Sequence, residues 1–258
     1  MANAWDPAQY NKFRQQRAEA FRELTSLVRP RPAMRVIDLG CGTGELTAIA
    51  AAELPDAHVV GVDSSPAMLS QATPRAHDRL VFRLGDIAAI ADYSEYDLVL
   101  SNAALHWVPR QAEVVGAMLA TLPPGAQVAV QVPKNGQHAS HLVAAALAAE
   151  EPFASLLGHY VHKSEALTAE RYAELLHAHG FRALSVFEKI HTHELDHAGD
   201  VVEWVKGSLL LPYLDRLAAP ADQERFVAAY RARLLAAVGD RAPYLFTFRR
   251  LYFWGEKS

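Results

Sequence analysis

The chain has a single cysteine, Cys41. No internal disulfide is therefore open to it, and its fold must be held by burial alone, as expected of a protein in a reducing cytoplasm. It also lacks a basic block: 25 Lys and Arg stand against 29 Asp and Glu, for a formal net charge of −4. A phosphate backbone is bound through a positive footprint, so nucleic acid is not the expected partner and a small molecule is. No apolar run is long enough to span a bilayer, and Met1 to Trp5 carries neither a basic n-region nor the apolar stretch of a leader. A cytoplasmic location with no membrane partner is the expectation. Repeats and low-complexity segments are absent as well. With 258 residues and 51% hydrophobic content, the chain suffices for one large α/β domain and is too apolar for disorder.

What is present concentrates in residues 35–44, Arg-Val-Ile-Asp-Leu-Gly-Cys-Gly-Thr-Gly. A β-branched run delivers Asp38, and glycines follow at alternate positions, Gly40, Gly42 and Gly44. Glycines so spaced between a strand and a helix let the backbone bend sharply and let another group approach without a Cβ in the way. The Ala-rich stretch from Glu45 to Glu53 predicts the helix. A second apolar run, 58–62, ends in Asp63, and an acid there suits the hydroxyls of a ribose. Together these predict an adenosine-containing cofactor. The turn is not a P-loop, because Glu45-Leu46 stands where Lys-Ser/Thr is needed. It also departs from the G-x-G-x-x-G dinucleotide fingerprint, which disfavours a nicotinamide-dependent reductase. Asp38 and Glu45 flank the turn and would repel a pyrophosphate, whereas a ligand with positive charge suits them.

Strands are predicted at 35–39, 58–62, 80–84, 96–100 and 126–132, with helices near 44–53, 65–73 and 110–121. Ser65-Pro66 supplies an N-cap and a first-turn proline for the second of these helices. Short β-branched runs separated by helices imply a mostly parallel sheet with right-handed crossovers. Past 133 the rhythm loosens. Helices are expected at 138–150 and 168–178, a strand at 181–195, and helices over 199–238 interrupted by Pro212 and Pro220. An aromatic, β-prone stretch from Tyr244 to Trp254 gives the last strand. The expected fold is an α/β open doubly wound, seven-stranded sheet forming one domain over 1–258. Its parts are a helical arm (1–30), a cofactor-binding core (31–133), a helical segment (134–180), a strand region (181–198), a helical lid before the last strand (199–240) and that strand (241–258). A lid there would lie over the carboxyl ends of the strands, where ligands of open α/β sheets bind.

Asp38-Leu39-Gly40-Cys41-Gly42-Thr43-Gly44 resembles the first motif of the class I S-adenosylmethionine-dependent methyltransferases. The resemblance implies S-adenosylmethionine as cofactor, with Asp38, Gly40, Cys41, Gly42 and Gly44 around its methionine end. It also places Asp63 and Ser64 at the ribose, Met68 on the adenine face, and Asp86 and Ile87 at the adenine edge. Asn102 and the following residues, through His106 and Trp107, would close the pocket beneath the methyl group. Further motifs are similar to the trans-aconitate 2-methyltransferase family: Trp5-Asp6-Pro7-x-x-Tyr10-x-x-Phe13-x-x-x-Arg17, Asp63-Ser64-Ser65-Pro66-Ala67-Met68-Leu69, Asn102-Ala103-x-Leu105-x-Trp107, Val202-Glu203-Trp204-Val205-Lys206-Gly207 and Phe248-x-Arg250-Leu251. That resemblance runs nearly end to end and implies methyl transfer to a carboxylate of a small organic acid.

A carboxylate is ionised above about pH 4 and needs cations to hold it, not a base. Arg250, with Arg17 second, is the cation expected to do so. Trp5, Tyr10, Trp107 and His193 complete the expected substrate set, and His106 and Arg250 are the candidate catalytic residues. Two departures fall where substrate would sit: Leu210-Leu211-Pro212 replaces the family's Leu-Arg-Pro, and Ile190-His191-Thr192-His193 replaces Thr-Tyr-Tyr-His. The acceptor is then a different or less charged acid. An alcohol acceptor with His106 or His193 as general base is the competing reading, and a cofactor-binding protein without catalysis is another. His191, His193 and His197 cluster, but no cysteine or acid is spaced to complete a tetrahedron, so no metal is expected. A monomer or weak homodimer is expected.

Overall fold

A computed structural model describes residues 14–258, with side chains from Ala18 onward. One open sheet holds seven strands: β1 (Arg35–Leu39), β2 (His58–Asp63), β3 (Leu80–Leu84), β4 (Leu98–Asn102), β5 (Gln127–Pro133), β6 (Phe181–Leu195) and β7 (Tyr244–Lys257). Their order is β3-β2-β1-β4-β5-β7-β6. β1 pairs in parallel with both β2 and β4, β2 with β3 and β4 with β5, while β7 runs antiparallel to β5. The chain therefore winds outward from β1 to β3 and returns on the other side of β1. A switch point opens between the carboxyl ends of β1 and β4, the place where open α/β sheets bind ligands.

The helices are α1 (Arg14–Thr25), α2 (Glu45–Glu53), α3 (Pro66–Ala72), α4 (Gln111–Thr121), α5 (Ala139–Ala148), α6 (Phe153–Leu156), α7 (Ala169–Ala178), α8 (Asp200–Lys206), α9 (Leu211–Leu214) and α10 (Pro220–Val238). Local chemistry sets their ends. Ser65 Oγ accepts from the Met68 amide at the start of α3, and Thr168 accepts from the Arg171 amide at the start of α7. Gly180, at φ 85°, follows the end of α7. Pro212 and Pro220 open α9 and α10, because a first-turn proline has no intrahelical N–H to lose. The fourth strand runs Leu98–Asn102, two residues later than the pattern predicts. Its ladder with β1 begins at Val36 opposite Leu98, and before it the Asp97 carboxylate takes the Arg35 amide at 2.8 Å.

The chain forms two compact units. The described part of one comprises 14–134, 165–189 and 250–258, with the sheet sandwiched between two apolar layers. Alternation along the strands sorts the layers. Val36, Leu98, Leu100, Ala129, Tyr252 and Trp254 pack with Phe21 and Leu24 of α1. Ile37, Val99, Val128, Val130, Leu251 and Phe253 pack with α4 and α7. Each fully buried aliphatic or aromatic side chain contributes about 1.5–3 kcal/mol. The other unit, 135–164 and 190–249 as described, has its own core of Leu147, Trp204, Tyr213, Phe226, Tyr230 and Phe246.

Candidate active site

β1 ends at Leu39 and the chain enters the glycine turn with Gly40, Gly42 and Gly44 all left-handed, at φ 76°, 57° and 71°. The three serve different ends. A Cβ on Gly40 would lie 2.2 Å from the Ala104 Cβ, and one on Gly44 would lie 2.6 Å from Phe82 Cζ. Those two glycines let neighbouring backbone and side chain close in. Among the described residues, a Cβ on Gly42 would meet nothing within 4 Å, so this glycine turns no side toward them. The turn is moored to β2: the Val62 carbonyl accepts from the Gly40 amide at 2.8 Å and the Cys41 amide at 3.0 Å.

Asp63, at the end of β2, is fixed by two backbone donors. The Gly42 amide donates to Oδ2 and the Ser65 amide to Oδ1, each at 2.8 Å. Each carboxylate oxygen keeps a second lone pair, so the group is oriented in advance to accept a pair of hydroxyls. Asp38 is buried to 3% exposure and accepts from Thr47 Oγ1 of α2 at 2.6 Å. Burial pushes its carboxyl up to about 6, Thr47 opposes the rise, and the charge of Asp63 adds to it. Burial, reinforced by Asp38 and Asp63, pushes the Cys41 thiol up as well. Its thiol stays neutral, which removes the reactive form a redox role would need.

On the β2 and β3 side, Met68 is buried in α3 and Ser64 is exposed. Asp86 is exposed, and its Oδ1 accepts from the Ala88 amide at 2.9 Å, capping a short 3-10 turn over Ile87–Ala89. Ile87 reaches the glycine turn, its Cδ1 being 4.0 Å from where a Gly40 Cβ would stand. On the β4 side, Ser101 Oγ donates to the Leu39 carbonyl at 2.9 Å. Asn102 Oδ1 is buried with no hydrogen-bond partner among the described residues. Ala103 then adopts φ 55°, a left-handed conformation costly for a residue with a Cβ, and its amide donates to the Gln131 carbonyl at 2.9 Å. This sharp exit brings Ala104 against Gly40. His106 follows, buried in the 3-10 turn Leu105–Trp107, its ring 4.8 Å from that of Trp107 at 44°.

Arg250 is buried on β7 opposite Pro133 of β5. Burial raises the Tyr252 phenol and the Arg250 charge draws it down, so the two lie close on one face of the strand. Arg249 points the other way and is exposed. In the second unit, His191 and His193 are buried on one face of β6, with ring centroids 6.3 Å apart. His193 stacks on Trp204 at 4.7 Å, and His197 is exposed. Trp5, Tyr10 and the side chain of Arg17 lie outside the described residues.

The site of the first unit thus gathers Asp38, the glycine turn, Asp63, Ile87 and the β4 exit around one switch point. Two of its residues escaped the sequence reading. Thr47, a hydroxyl on the first turns of the helix after an acid-bearing strand, is legible in retrospect. Gln131 is fully buried on β5, in register with Asn102, and among the described residues neither its Oε1 nor its Nε2 has a hydrogen-bond partner. In sequence it reads as an ordinary strand residue.

An oriented carboxylate and two acids at a turn with no basic residue fit a nucleoside ligand bearing positive charge better than a phosphorylated one. The comparisons agree. Residues 30–180 match the family model described as a methyltransferase domain. The chain is 41% identical over 250 residues to the trans-aconitate 2-methyltransferase of Deinococcus radiodurans, covering 94% of this chain and 95% of that one. It is 36% identical to the enzyme of the same name from Variovorax paradoxus, covering 98% of each. Among solved structures, it resembles Haemonchus contortus phosphoethanolamine N-methyltransferase 2 in complex with S-adenosyl-L-methionine (TM-score 0.55, 17% identity, 94% of this chain and 52% of that one). An S-adenosylmethionine-dependent methyltransferase from Mesorhizobium loti matches with TM-score 0.52 and 19% identity, over 93% of this chain and 98% of that one. At those identities the structures establish the shared fold. The two curated relatives, alike over nearly their whole length, establish more: this chain belongs to the trans-aconitate 2-methyltransferase family.

Proposed function

We propose that the protein transfers a methyl group from S-adenosylmethionine to a carboxylate oxygen of a small organic acid of the trans-aconitate kind. The products are a methyl ester and S-adenosylhomocysteine. When bound, the cofactor supplies a methyl carbon already activated by positive sulfur. The observation that carries the reading is the Asp63 carboxylate, held by the Gly42 and Ser65 amides. Asp63 accepts from the ribose hydroxyls, and Ser64 lies at the same edge. Asp38 attracts the charged methionine end through the turn of Gly40, Cys41, Gly42 and Gly44. Met68 and Ile87 flank the adenine, Asp86 accepts from its amino group, and Asn102 stands at the exit of β4.

Methyl transfer to a carboxylate moves no proton, so the protein's work is alignment and exclusion of water. Arg250 holds the acceptor's charge, with Arg17 and Trp107 supplying further contacts and His106 lining the site. The enzyme works in the cytoplasm, as a monomer or weak homodimer.

The test is equilibrium dialysis against S-adenosylmethionine, NAD and ATP, followed by incubation of the full chain with labelled methyl donor and a panel of acids that includes trans-aconitate. Selective binding of the methyl donor and label recovered in a base-labile ester are expected. Tight binding of NAD or ATP, or label recovered only in ethers, would overturn the proposal.

A further inference from the structure

Gln131 is wholly buried, both its polar atoms are closed to solvent, and neither is hydrogen-bonded among the described residues. A buried amide left unpaired works against the fold, and such groups in native structures call for an explanation, a bound ligand, ion or water among them. Its surroundings indicate which. Register places Gln131 between Asn102 of β4 and Tyr252 of β7. By alternation it shares their face of the sheet, together with Asp38 and Arg250. Asn102 Oδ1 is likewise unpaired among the described residues, although that residue as a whole is only half-buried, so the rim is accessible there. Arg250, opposite Pro133, is a diagonal neighbour of Gln131 on that face, typically about 7–8 Å away. An amide donor near the carboxyl end of β5 and a guanidinium on the neighbouring strand suit a carboxylate.

Resting on the methyl-transfer reading above, we infer that Gln131 is a substrate-positioning residue whose Nε2 donates a hydrogen bond to a carboxylate of the acceptor acid. The amide selects for acids: an apolar acceptor would leave it unpaired. Asn102 extends the same polar row toward the cofactor turn.

The experiment measures trans-aconitate binding to the full chain saturated with S-adenosylhomocysteine, by calorimetry, for the wild type, Gln131→Leu and Gln131→Glu. Turnover with S-adenosylmethionine is measured in parallel. Gln131→Leu removes one hydrogen bond to a charged group and is expected to weaken acid binding about 10- to 100-fold, with S-adenosylhomocysteine affinity within twofold and thermal stability no lower. Gln131→Glu is expected to weaken it further near pH 7.5. Binding relative to wild type should then recover as pH falls, because a protonated buried carboxyl is again a donor, a recovery that a merely structural role would not give. If Gln131→Leu does not fold, the pH recovery of Gln131→Glu decides. Wild-type binding by Gln131→Leu, wild-type kcat/KM, or no acid binding by the wild type would overturn the inference. Acid binding that depends on Gln131 without any ester would instead sink the methyl-transfer reading and leave the inference standing.

Discussion

Replacing Asp38 with Asn should stabilise the free protein while weakening its hold on the methyl donor. Asp38 is 3% exposed, and burial lifts its carboxyl from 3.8 to about 6. An acid raised in the native state favours the fold while it is protonated. Its contribution is whole below the unfolded value of 3.8, and it is lost as pH climbs through about 6. A difference of about two pH units corresponds to about 3 kcal/mol, all of it working against the fold near pH 7.5. An Asn side chain carries no charge to desolvate, and its carbonyl can still accept from Thr47. The variant is therefore expected to gain up to about 3 kcal/mol, or roughly 5–10 °C in Tm for a chain of this size.

Binding should move the other way. A ligand with a positive methionine end stabilises the ionised carboxylate, so the Asn variant should bind about tenfold or more weakly, by the loss of about 1.5–3 kcal/mol for an interaction between charged groups. In the wild type, binding must first strip the proton. At about pH 5 roughly one site in ten is ionised, so affinity should fall roughly tenfold from its value near pH 7.5. The Asn variant should show no such slope. Calorimetry across that range, with thermal unfolding of the free proteins, checks both halves. A variant that is less stable than wild type and binds the donor equally well would refute the reasoning, as would a wild-type affinity flat down to about pH 5.

Thr47→Val removes the hydroxyl that opposes the rise at Asp38, so the pH at which donor affinity begins to fall should move upward, read by the same titration. Gly40→Ala drives a Cβ to 2.2 Å from that of Ala104, and the expected result is a protein that does not fold, by circular dichroism. Gly42→Ala meets no described neighbour; it should cost about 1–2 kcal/mol for its left-handed backbone and keep the fold, while dialysis finds donor binding lost. His106→Asn should leave kcat/KM with a carboxylic acid flat from about pH 6 to 9 and within about tenfold of wild type, since an ionised acceptor needs no base. A loss of a hundredfold or more would favour an alcohol acceptor.

Much of the fold was legible because its signals are local. The glycine turn, Ser65-Pro66, Thr168 and Gly180 each set a backbone conformation within a few residues, and the helices and strands predicted between 35 and 133 fall within about two residues of their pattern. The two prolines of the helical region do mark its breaks, each lying in the first turn of the helix that follows. Proline breaks a helix interior but suits its first turn, and composition alone does not say which side of a proline the helix lies on. The start of β4 was missed because the apolar run begins at Tyr96, whereas the ladder begins where β1 offers a partner.

The site divides along the same line. Asp63 announces itself as an acid ending a strand, and its two amide donors follow from the turn before it and the cap after it. Gln131 announces nothing. In sequence it sits between Val130 and Val132 on a buried strand, where an amide resembles any other internal polar residue. Its meaning needs three facts that arise only when strands pair: which face it occupies, that Asn102 and Tyr252 flank it, and that none of its described neighbours takes its hydrogen bonds. A residue that binds by backbone geometry writes itself into the local sequence, because glycine and cap chemistry are local. A residue that binds by an unspent hydrogen bond is defined by partners it does not have, and only the assembled sheet reveals that. The acid class was legible only through motifs spread along the whole chain, whereas the contact proposed for Gln131 belongs to the second kind and needed the assembled sheet.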